Sequence, residues 1–223
     1  MTTLKICGLR NATAAVAASE AGADLLGFVF VRGARRRLLV DEAYALIQDY
    51  RSQRGDGGPG LVGLFADQPI DQVESAVRKC RLEMVQLCGD ESPEYSSRIS
   101  VPVINQIKVR DSGQLEQVIE ETRLRLEEVL SLGQTPTLDK YHDDSKGGTG
   151  QKFDWSIAEA LAGSYKFILG GGLTPGNVSN AVARVRPWGV DVSSGVETKG
   201  VKDVRKIAAF AAEVRCTDEH SFD

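Results

Sequence analysis

Short apolar runs recur along the whole chain, and each of them ends at a glycine or a polar residue. Most are nearly continuous in apolar character, which is typical of parallel strands that are covered on both faces. The pattern therefore predicts a parallel sheet. The predicted strands cover residues 4–7, 25–30, 61–65, 84–87, 102–109, 135–139, 166–171 and 189–194.

Segments with helical spacing lie between most of these runs. Apolar residues recur there three and four positions apart, which predicts helices with one buried stripe each. Thr174 and Pro175 indicate the start of one helix, as its N-cap and its first helical residue. The predicted helices cover residues 11–23, 40–54, 70–80, 113–133, 153–163, 174–185 and 199–214.

The alternation of strands and helices, repeated about eight times, predicts a single-domain (β/α)8 barrel over residues 1–215. A doubly wound open sheet is the alternative. Residues 55–60 are rich in glycine, but they do not divide the chain because the alternation continues across them. Residues 216–223 show no apolar periodicity, and we expect them to form a loose tail.

Composition and charge exclude several classes of protein. The chain has 223 residues, of which 42% are hydrophobic and 26% charged, as in ordinary globular proteins. A net charge of −4 gives no general attraction to nucleic acid or to anionic membranes. No apolar run is long enough to span a membrane, and we expect no secretion signal. The cysteines are scattered and histidines are few, so we predict no metal site and a reducing, cytoplasmic location.

Chemistry in (β/α)8 enzymes lies at the C-terminal ends of the strands, so the ends of the apolar runs select candidate residues. Glycine and serine turns follow the seventh and eighth runs. The side chains selected at the earlier run ends are Cys7, Arg36, Asp67, Gln86, Cys88 and Asp139.

The two late turns predict a phosphate site. Gly171 and Gly172 allow backbone amides to approach an anion where a strand ends and a helix begins. Ser193, Ser194 and Gly195 do the same after the eighth run, with two hydroxyls as further donors. Either stretch alone could be merely a tight turn, but the loops after strands seven and eight are the usual phosphate site of this fold.

Seven stretches occur in one order along nearly the whole chain. They are KICGLR (5–10), GADLLGFVF (22–30), VGLF (62–65), VQLCGDE (85–91), GGTGQKFDW (147–155), GGLTPGNV (171–178) and GVDVSSGVETKGVKD (189–203). Together they resemble the phosphoribosylanthranilate isomerase family of tryptophan biosynthesis. The resemblance implies a barrel enzyme without cofactor or metal. The implied reaction is the Amadori rearrangement of N-(5-phosphoribosyl)anthranilate to 1-(2-carboxyphenylamino)-1-deoxyribulose 5-phosphate.

The resemblance also implies roles for individual residues. Cys7 is the implied general base, which removes the C2′ proton, and Asp139 is the implied general acid, which protonates the ring oxygen. A shifted alignment would favour Asp143 or Asp144 as the acid. Lys5 points to the same side of an ideal strand as Cys7 and could favour its thiolate.

Further residues complete the implied substrate pocket. Arg36 is the implied partner of the anthranilate carboxylate, and the neighbouring Arg35 is its alternative. Gln86 is placed in the pocket at the end of the fourth strand. Asp191 holds either the ribose or the surroundings of Cys7, or it is a buried structural carboxylate.

Some positions depart from the family pattern. Arg32 and Ala34 replace the usual proline and serine, Cys88 stands where histidine is common, and Asp67 stands where asparagine is usual. None of these changes removes a proposed catalytic group. Two alternatives remain: a related aminoaldose isomerase of the histidine-pathway or dual-substrate type, and a non-catalytic barrel that binds a phosphorylated ligand. We expect a monomer or homodimer that binds a small phosphorylated substrate.

Overall fold

Eight parallel strands close into a barrel, because the first strand pairs with both the second and the last. The computed structural model describes residues 1–55, 57–110, 113–140 and 154–220, with residue 220 described by its backbone alone. The closed barrel confirms the predicted fold and excludes the open sheet. The strands are β1 Thr3–Cys7, β2 Leu25–Val29, β3 Gly60–Phe65, β4 Met84–Leu87, β5 Val103–Val109, β6 Thr135–Lys140, β7 Ile168–Leu169 and β8 Gly189–Val192.

Helices alternate with these strands and cover the outside of the barrel. The short helix α4 has no counterpart among the predicted helices, since a segment of 4 residues cannot show a helical period. No helix within the described ranges is long and apolar enough to cross a membrane. The helices are α1 Ala12–Glu20, α2 Val40–Arg54, α3 Ile70–Cys80, α4 Pro93–Ser96, α5 Leu115–Ser131, α6 Trp155–Ala162, α7 Val178–Val185 and α8 Val204–His220.

Side chains of β1 alternate between two apolar layers. Leu4 and Ile6 join the large layer that also contains the buried helix residues, whereas Cys7 joins a smaller cluster inside the barrel. Because side chains alternate along a strand, Lys5 shares the inner face with Cys7. The polar residues at the barrel mouth therefore lie above a layer of apolar side chains. The inner cluster comprises Cys7, Leu25, Val29, Val62, Leu64, Ile104 and Ile168.

The start of α7 differs from its prediction. The helix begins at Val178 with Asn177 as N-cap, so Thr174 is not the cap. The side chain of Asn177 instead organises the preceding turn: its Oδ1 accepts from the Thr174 amide at 2.7 Å, and its Nδ2 donates to the Gly172 carbonyl at 3.0 Å. These bonds hold the chain in a turn at the point where the sequence pattern predicts the first helical residues.

The last helix begins and ends later than predicted. A two-stranded hairpin, β9 Glu197–Thr198 and β10 Val201–Lys202, delays its start to Val204. The expected loose tail is wrong for residues 216–220, which continue α8. Asp218 is buried and accepts bonds from the amide and hydroxyl of Thr2, at 2.7 and 2.6 Å. This contact spans nearly the whole sequence, so local periodicity could not reveal it. Residues 221–223 lie outside the described residues.

Asp218→Ala should destabilise the protein by about 2–4 kcal/mol, because two buried donors of Thr2 lose their acceptor. Denaturant unfolding followed by circular dichroism measures the change. The control is Glu159→Ala, which breaks a half-exposed pair with Arg184 and should cost less than about 1 kcal/mol. Equal losses in the two variants would show that the Thr2–Asp218 contact is not a major stabilising interaction.

Candidate active site

The mouth of the barrel, where the C-terminal ends of the strands meet, collects most of the polar residues selected from the sequence. Cys7 ends β1, Gln86 lies in β4, Asp139 in β6 and Asp191 in β8. Gln86 is buried, its Nε2 lies 3.5 Å from Sγ of Cys88, and its Oε1 has no partner within the described part of the chain. The charge of Asp191 acts to raise the pKa of both Cys7 and Asp139, so these three groups interact electrostatically.

Lys5 and Asp191 form an ion pair inside the barrel. Nζ lies 2.7 Å from Oδ2, and the Lys5 side chain is only 1% exposed. The pair follows from strand register, because Lys5 of β1 lies beside Asp191 of β8. Burial acts to lower the pKa of Lys5, but the charge and hydrogen bond of Asp191, together with Cys7 and Cys88, outweigh it, so that pKa stands above its ordinary value. Lys5 is therefore a fixed cation, and Oδ1 of Asp191 has no partner among the described residues.

The thiol of Cys7 is buried beside this ion pair. Gly27 of β2 leaves room for it, since a Cβ there would lie 2.9 Å from Sγ of Cys7. Burial raises the pKa of Cys7 above its ordinary value, while Lys5 acts to lower it and Asp191 to raise it. The predicted help from Lys5 therefore has the right direction but does not offset burial. Cys7 is a neutral thiol in the unliganded protein.

The carboxyl group of Asp139 is held by two donors. Nε2 of Gln106 donates to Oδ2 and the amide of Lys140 donates to Oδ1, both at 2.8 Å. Burial and the charge of Asp191 nevertheless raise the pKa of Asp139 to about 6. A fraction of Asp139 therefore keeps its proton near neutral pH, as a general acid requires. The alternative acids at positions 143 and 144 lie outside the described residues.

Arg36 lies directly over the turn that follows Cys7. A Cβ on Gly8 would come within 2.4 Å of Cδ of Arg36, so only glycine permits this approach. Nε and Nη2 of Arg36 donate to the two carboxylate oxygens of Glu197, at 2.5 and 3.1 Å. Arg35 contacts Glu197 from the outer side, and its side chain is 49% exposed. Of the two arginines considered from the sequence, Arg36 therefore lies next to Cys7.

The two predicted phosphate turns lie against each other. A Cβ on Gly195 would lie 1.8 Å from the Leu173 carbonyl oxygen, so the turns pack backbone to backbone. The amides of Gly171 and Gly172 have no acceptor among the described residues. Ser193 differs from its prediction as a free donor, because its hydroxyl already donates to the Cys7 carbonyl at 3.1 Å. The turns therefore offer backbone amides, together with Ser194, beside the thiol.

Comparison with known proteins agrees with this geometry. The family model described as N-(5′-phosphoribosyl)anthranilate (PRA) isomerase matches residues 4–213. The chain belongs to the PRA isomerase family. A relative from Dehalococcoides mccartyi is 38% identical over 96% of each chain, and one from Syntrophomonas wolfei is 42% identical over 94% of this chain and 96% of its own. Both are named N-(5′-phosphoribosyl)anthranilate isomerase.

Solved structures of PRA isomerases share the whole barrel. The crystal structure from Thermotoga maritima is 30% identical, with a TM-score of 0.81 over 97% of this chain and 100% of its own. A PRA isomerase in complex with reduced 1-(o-carboxyphenylamino)-1-deoxyribulose 5-phosphate is 29% identical, with a TM-score of 0.78 over the same shares of the two chains. The resemblance drawn from the sequence is therefore confirmed.

The structure adds polar residues that sequence reasoning did not select for this PRA isomerase site. Gln106 is a polar residue at an inward-facing position of the otherwise largely apolar fifth run. This break in the apolar pattern is the feature of the sequence that indicates a role in the site. Glu197 and Lys202 lie inside the matched stretch 189–203, but nothing local distinguishes them from surface residues. Nζ of Lys202 is buried and donates to the Ser193 carbonyl at 2.7 Å and to Glu197 at 3.1 Å.

Lys5→Met should destabilise the protein by about 3–5 kcal/mol, because it leaves the Asp191 carboxylate buried without its cation. Adding Asp191→Asn to Lys5→Met should restore part of this loss, since no uncompensated charge then remains. Denaturant unfolding of the two single variants and the double variant gives the coupling free energy. Strictly additive losses would contradict a direct interaction between the two side chains.

Proposed function

We propose that this member of the PRA isomerase family carries out the Amadori rearrangement of N-(5′-phosphoribosyl)anthranilate with Asp139 as general acid and Cys7 as general base. The observation that carries these assignments is the position of Asp139 at the barrel mouth, with a raised pKa. Its pKa of about 6 gives it a proton to donate, at the same barrel mouth as the Cys7 thiol and the phosphate turns. Acid and base catalysis of this kind contributes about 10²–10⁴-fold each.

The first step uses the proton of Asp139. It passes to the ring oxygen of the ribose, the bond from C1′ to that oxygen breaks, and the amine lone pair forms an iminium. Gln106 and the Lys140 amide keep both carboxyl oxygens in place while the proton leaves. They also stabilise the carboxylate that remains, because both are donors.

The second step uses Cys7. Its thiolate takes the proton from C2′, the released electron pair forms the C1′–C2′ double bond, and the iminium becomes a neutral enolamine. Tautomerisation then moves the hydroxyl proton to C1′ and leaves the ketone. Because burial keeps Cys7 protonated in the free protein, the thiolate forms when its proton passes through solvent to the Asp139 carboxylate, and this is the proton that the first step gives to the ring oxygen. The positive iminium then stabilises the thiolate by direct attraction until it takes the C2′ proton.

The binding groups fit the three parts of this substrate. We assign the phosphate to Gly171, Gly172, Ser194 and Gly195, whose backbone amides line the paired turns. The anthranilate carboxylate is assigned to Arg36. The ligand of the similar liganded structure carries a carboxyphenyl group, a sugar chain and a phosphate, which supports this division of the site.

We assign the ribose hydroxyls to the polar atoms in the barrel that have no hydrogen-bond partner. Oδ1 of Asp191 and Oε1 of Gln86 are both buried and unpartnered within the described residues. A buried polar atom without a partner is costly, so a hydroxyl that pairs with it gains binding free energy. Lys5 then acts by fixing Asp191, and Ser193 by fixing the Cys7 backbone.

The setting of the protein follows the same proposal. We propose a cytoplasmic location, since Cys7, Cys80 and Cys88 are free thiols. Either a monomer or a homodimer is consistent with the site, because every group assigned above lies on one chain. A similar structure from Thermotoga maritima is described as monomers generated from a dimeric isomerase. Catalysis without cofactor or metal remains a prediction.

Cys7→Ala and Asp139→Ala should each lower kcat at least a hundredfold, because each removes a group that transfers a proton. Turnover of phosphoribosylanthranilate is followed by the loss of anthranilate-type fluorescence, and circular dichroism checks the fold. The matched controls are Cys216→Ala and Asp49→Asn, two exposed positions away from the barrel mouth, which should keep wild-type activity. Full activity in either active-site variant would refute that residue's assigned role.

The two proposed groups also define a pH profile. The reactive form carries a proton on Asp139 and none on Cys7, so the pair as a whole holds one proton. Below about pH 6 both groups are protonated, and the reactive fraction falls about tenfold for each pH unit. Between the two pKa values the pair holds one proton throughout, so the reactive fraction stays constant.

We therefore expect kcat/KM to rise up to about pH 6 and then to stay level to about pH 8 or beyond. In Asp139→Asn the limb at pH 6 should disappear, and the residual activity should rise across this whole range as the thiol ionises. Initial rates between about pH 4.5 and 9 test this profile. If the limb persists in Asp139→Asn, it belongs to the substrate phosphate and not to Asp139.

A further inference from the structure

We propose that Glu197 is a positioning residue, which turns the free edge of the Arg36 guanidinium toward the carboxylate of the substrate. Glu197 begins the β9–β10 hairpin, and its side chain is only 5% exposed. The inference rests on the proposed role of Arg36. It goes beyond that role because it names the residue that determines how Arg36 is presented.

The carboxylate of Glu197 is surrounded by cations. Oε1 accepts from Nε of Arg36 at 2.5 Å and from Nζ of Lys202 at 3.1 Å. Oε2 accepts from Nη2 of Arg36 at 3.1 Å and from Nη2 of Arg35 at 2.5 Å. Burial opposes this charge, but the hydrogen bond from Arg36 and the charge of Lys202 lower the pKa of Glu197 to about 2. It is therefore an anion throughout the working pH range.

The pattern of bonds decides which part of Arg36 remains free. A guanidinium has five N–H donors in a planar fork. Glu197 engages Nε and one N–H of Nη2, and no described residue accepts from Nη1. The remaining edge, formed by Nη1 and the second N–H of Nη2, matches the two oxygens of another carboxylate. Arg36 can therefore bind Glu197 and the substrate at once, on different edges.

Two contacts keep this arrangement rigid. The aliphatic part of the Arg36 side chain packs against the backbone of Gly8, next to Cys7. Lys202 connects Glu197 to the Ser193 carbonyl at 2.7 Å, and Ser193 in turn donates to the Cys7 carbonyl. The carboxylate site and the phosphate turn are thus joined through Glu197 and Lys202. Rigid placement of this kind matters because small displacements of a binding group cost large factors in rate.

The proposal differs from a purely structural role in what it predicts for two ligands. One is the reduced 1-(o-carboxyphenylamino)-1-deoxyribulose 5-phosphate bound in the similar structure, and the other is the same compound with a phenyl ring that lacks the carboxylate. A positioning residue affects only the first ligand. A residue that merely supports the hairpin affects both equally.

Glu197→Gln should therefore raise the Kd of the carboxylated ligand about tenfold or more, while the Kd of the phenyl analogue should change less than about twofold. Isothermal titration calorimetry measures both values. KM for the substrate should rise by a similar factor, and kcat should change less than about threefold. The matched control is Asp218→Asn, another buried carboxylate, which should lower stability and leave both Kd values unchanged.

Glu197→Asp provides a second variant if Glu197→Gln does not fold, since it keeps the charge but shortens the reach to Arg36. It should weaken binding of the carboxylated ligand selectively, to a smaller extent. Equal weakening of both ligands, or no weakening of the carboxylated one, overturns the inference about Glu197. Arg36→Ala separates this failure from that of the proposed function. If Arg36→Ala also leaves the preference for the carboxylated ligand intact, the assignment of Arg36 is wrong. If Arg36→Ala abolishes this preference and the Glu197 variants do not, only the role of Glu197 is wrong.

Discussion

The ion pair between Lys5 and Asp191 is the interaction on which the chemistry of this barrel depends. It forms only because the barrel closes, which brings β1 beside β8. Its two charges then act on both proposed catalytic groups. Burial raises the pKa values of Cys7 and Asp139, Asp191 raises both further, and Lys5 opposes this rise at both. In a low-dielectric interior such charges act strongly, so the pair helps to set which of the two groups holds a proton.

Near neutral pH the two proposed catalytic groups of the free protein share one proton, which lies mainly on Cys7. The pKa of Asp139 is about 6, whereas that of Cys7 lies above its ordinary value because burial outweighs the attraction of Lys5. In the proposed reaction, ring opening creates a positive iminium beside Cys7, and its attraction favours the thiolate. Burial of Cys7 thus keeps the thiolate from forming before the substrate is present, and a thiolate is the reactive form toward oxidants.

Binding and catalysis are joined by backbone contacts and not only by side chains. Ser193 holds the carbonyl of Cys7, and Lys202 holds the carbonyl of Ser193. The phosphate turn, the thiol and the cations around Glu197 therefore share one hydrogen-bonded frame. Under the proposed assignments, a ligand that spans this frame has its carboxylate end and its phosphate end fixed relative to Cys7.

The sequence by itself identified the family and favoured the barrel with most of its strands and helices, because hydrophobic periodicity and ordered motifs are local properties. It also selected Cys7, Asp139 and Arg36, since strand ends can be read from the runs. Tertiary structure alone decided the partners: Lys5 with Asp191, Gln106 with Asp139, Glu197 with Arg36, and Asp218 with Thr2. These pairs join residues far apart in the chain. Their burial and charge, and hence their protonation, depend on contacts that exist only after the barrel has closed.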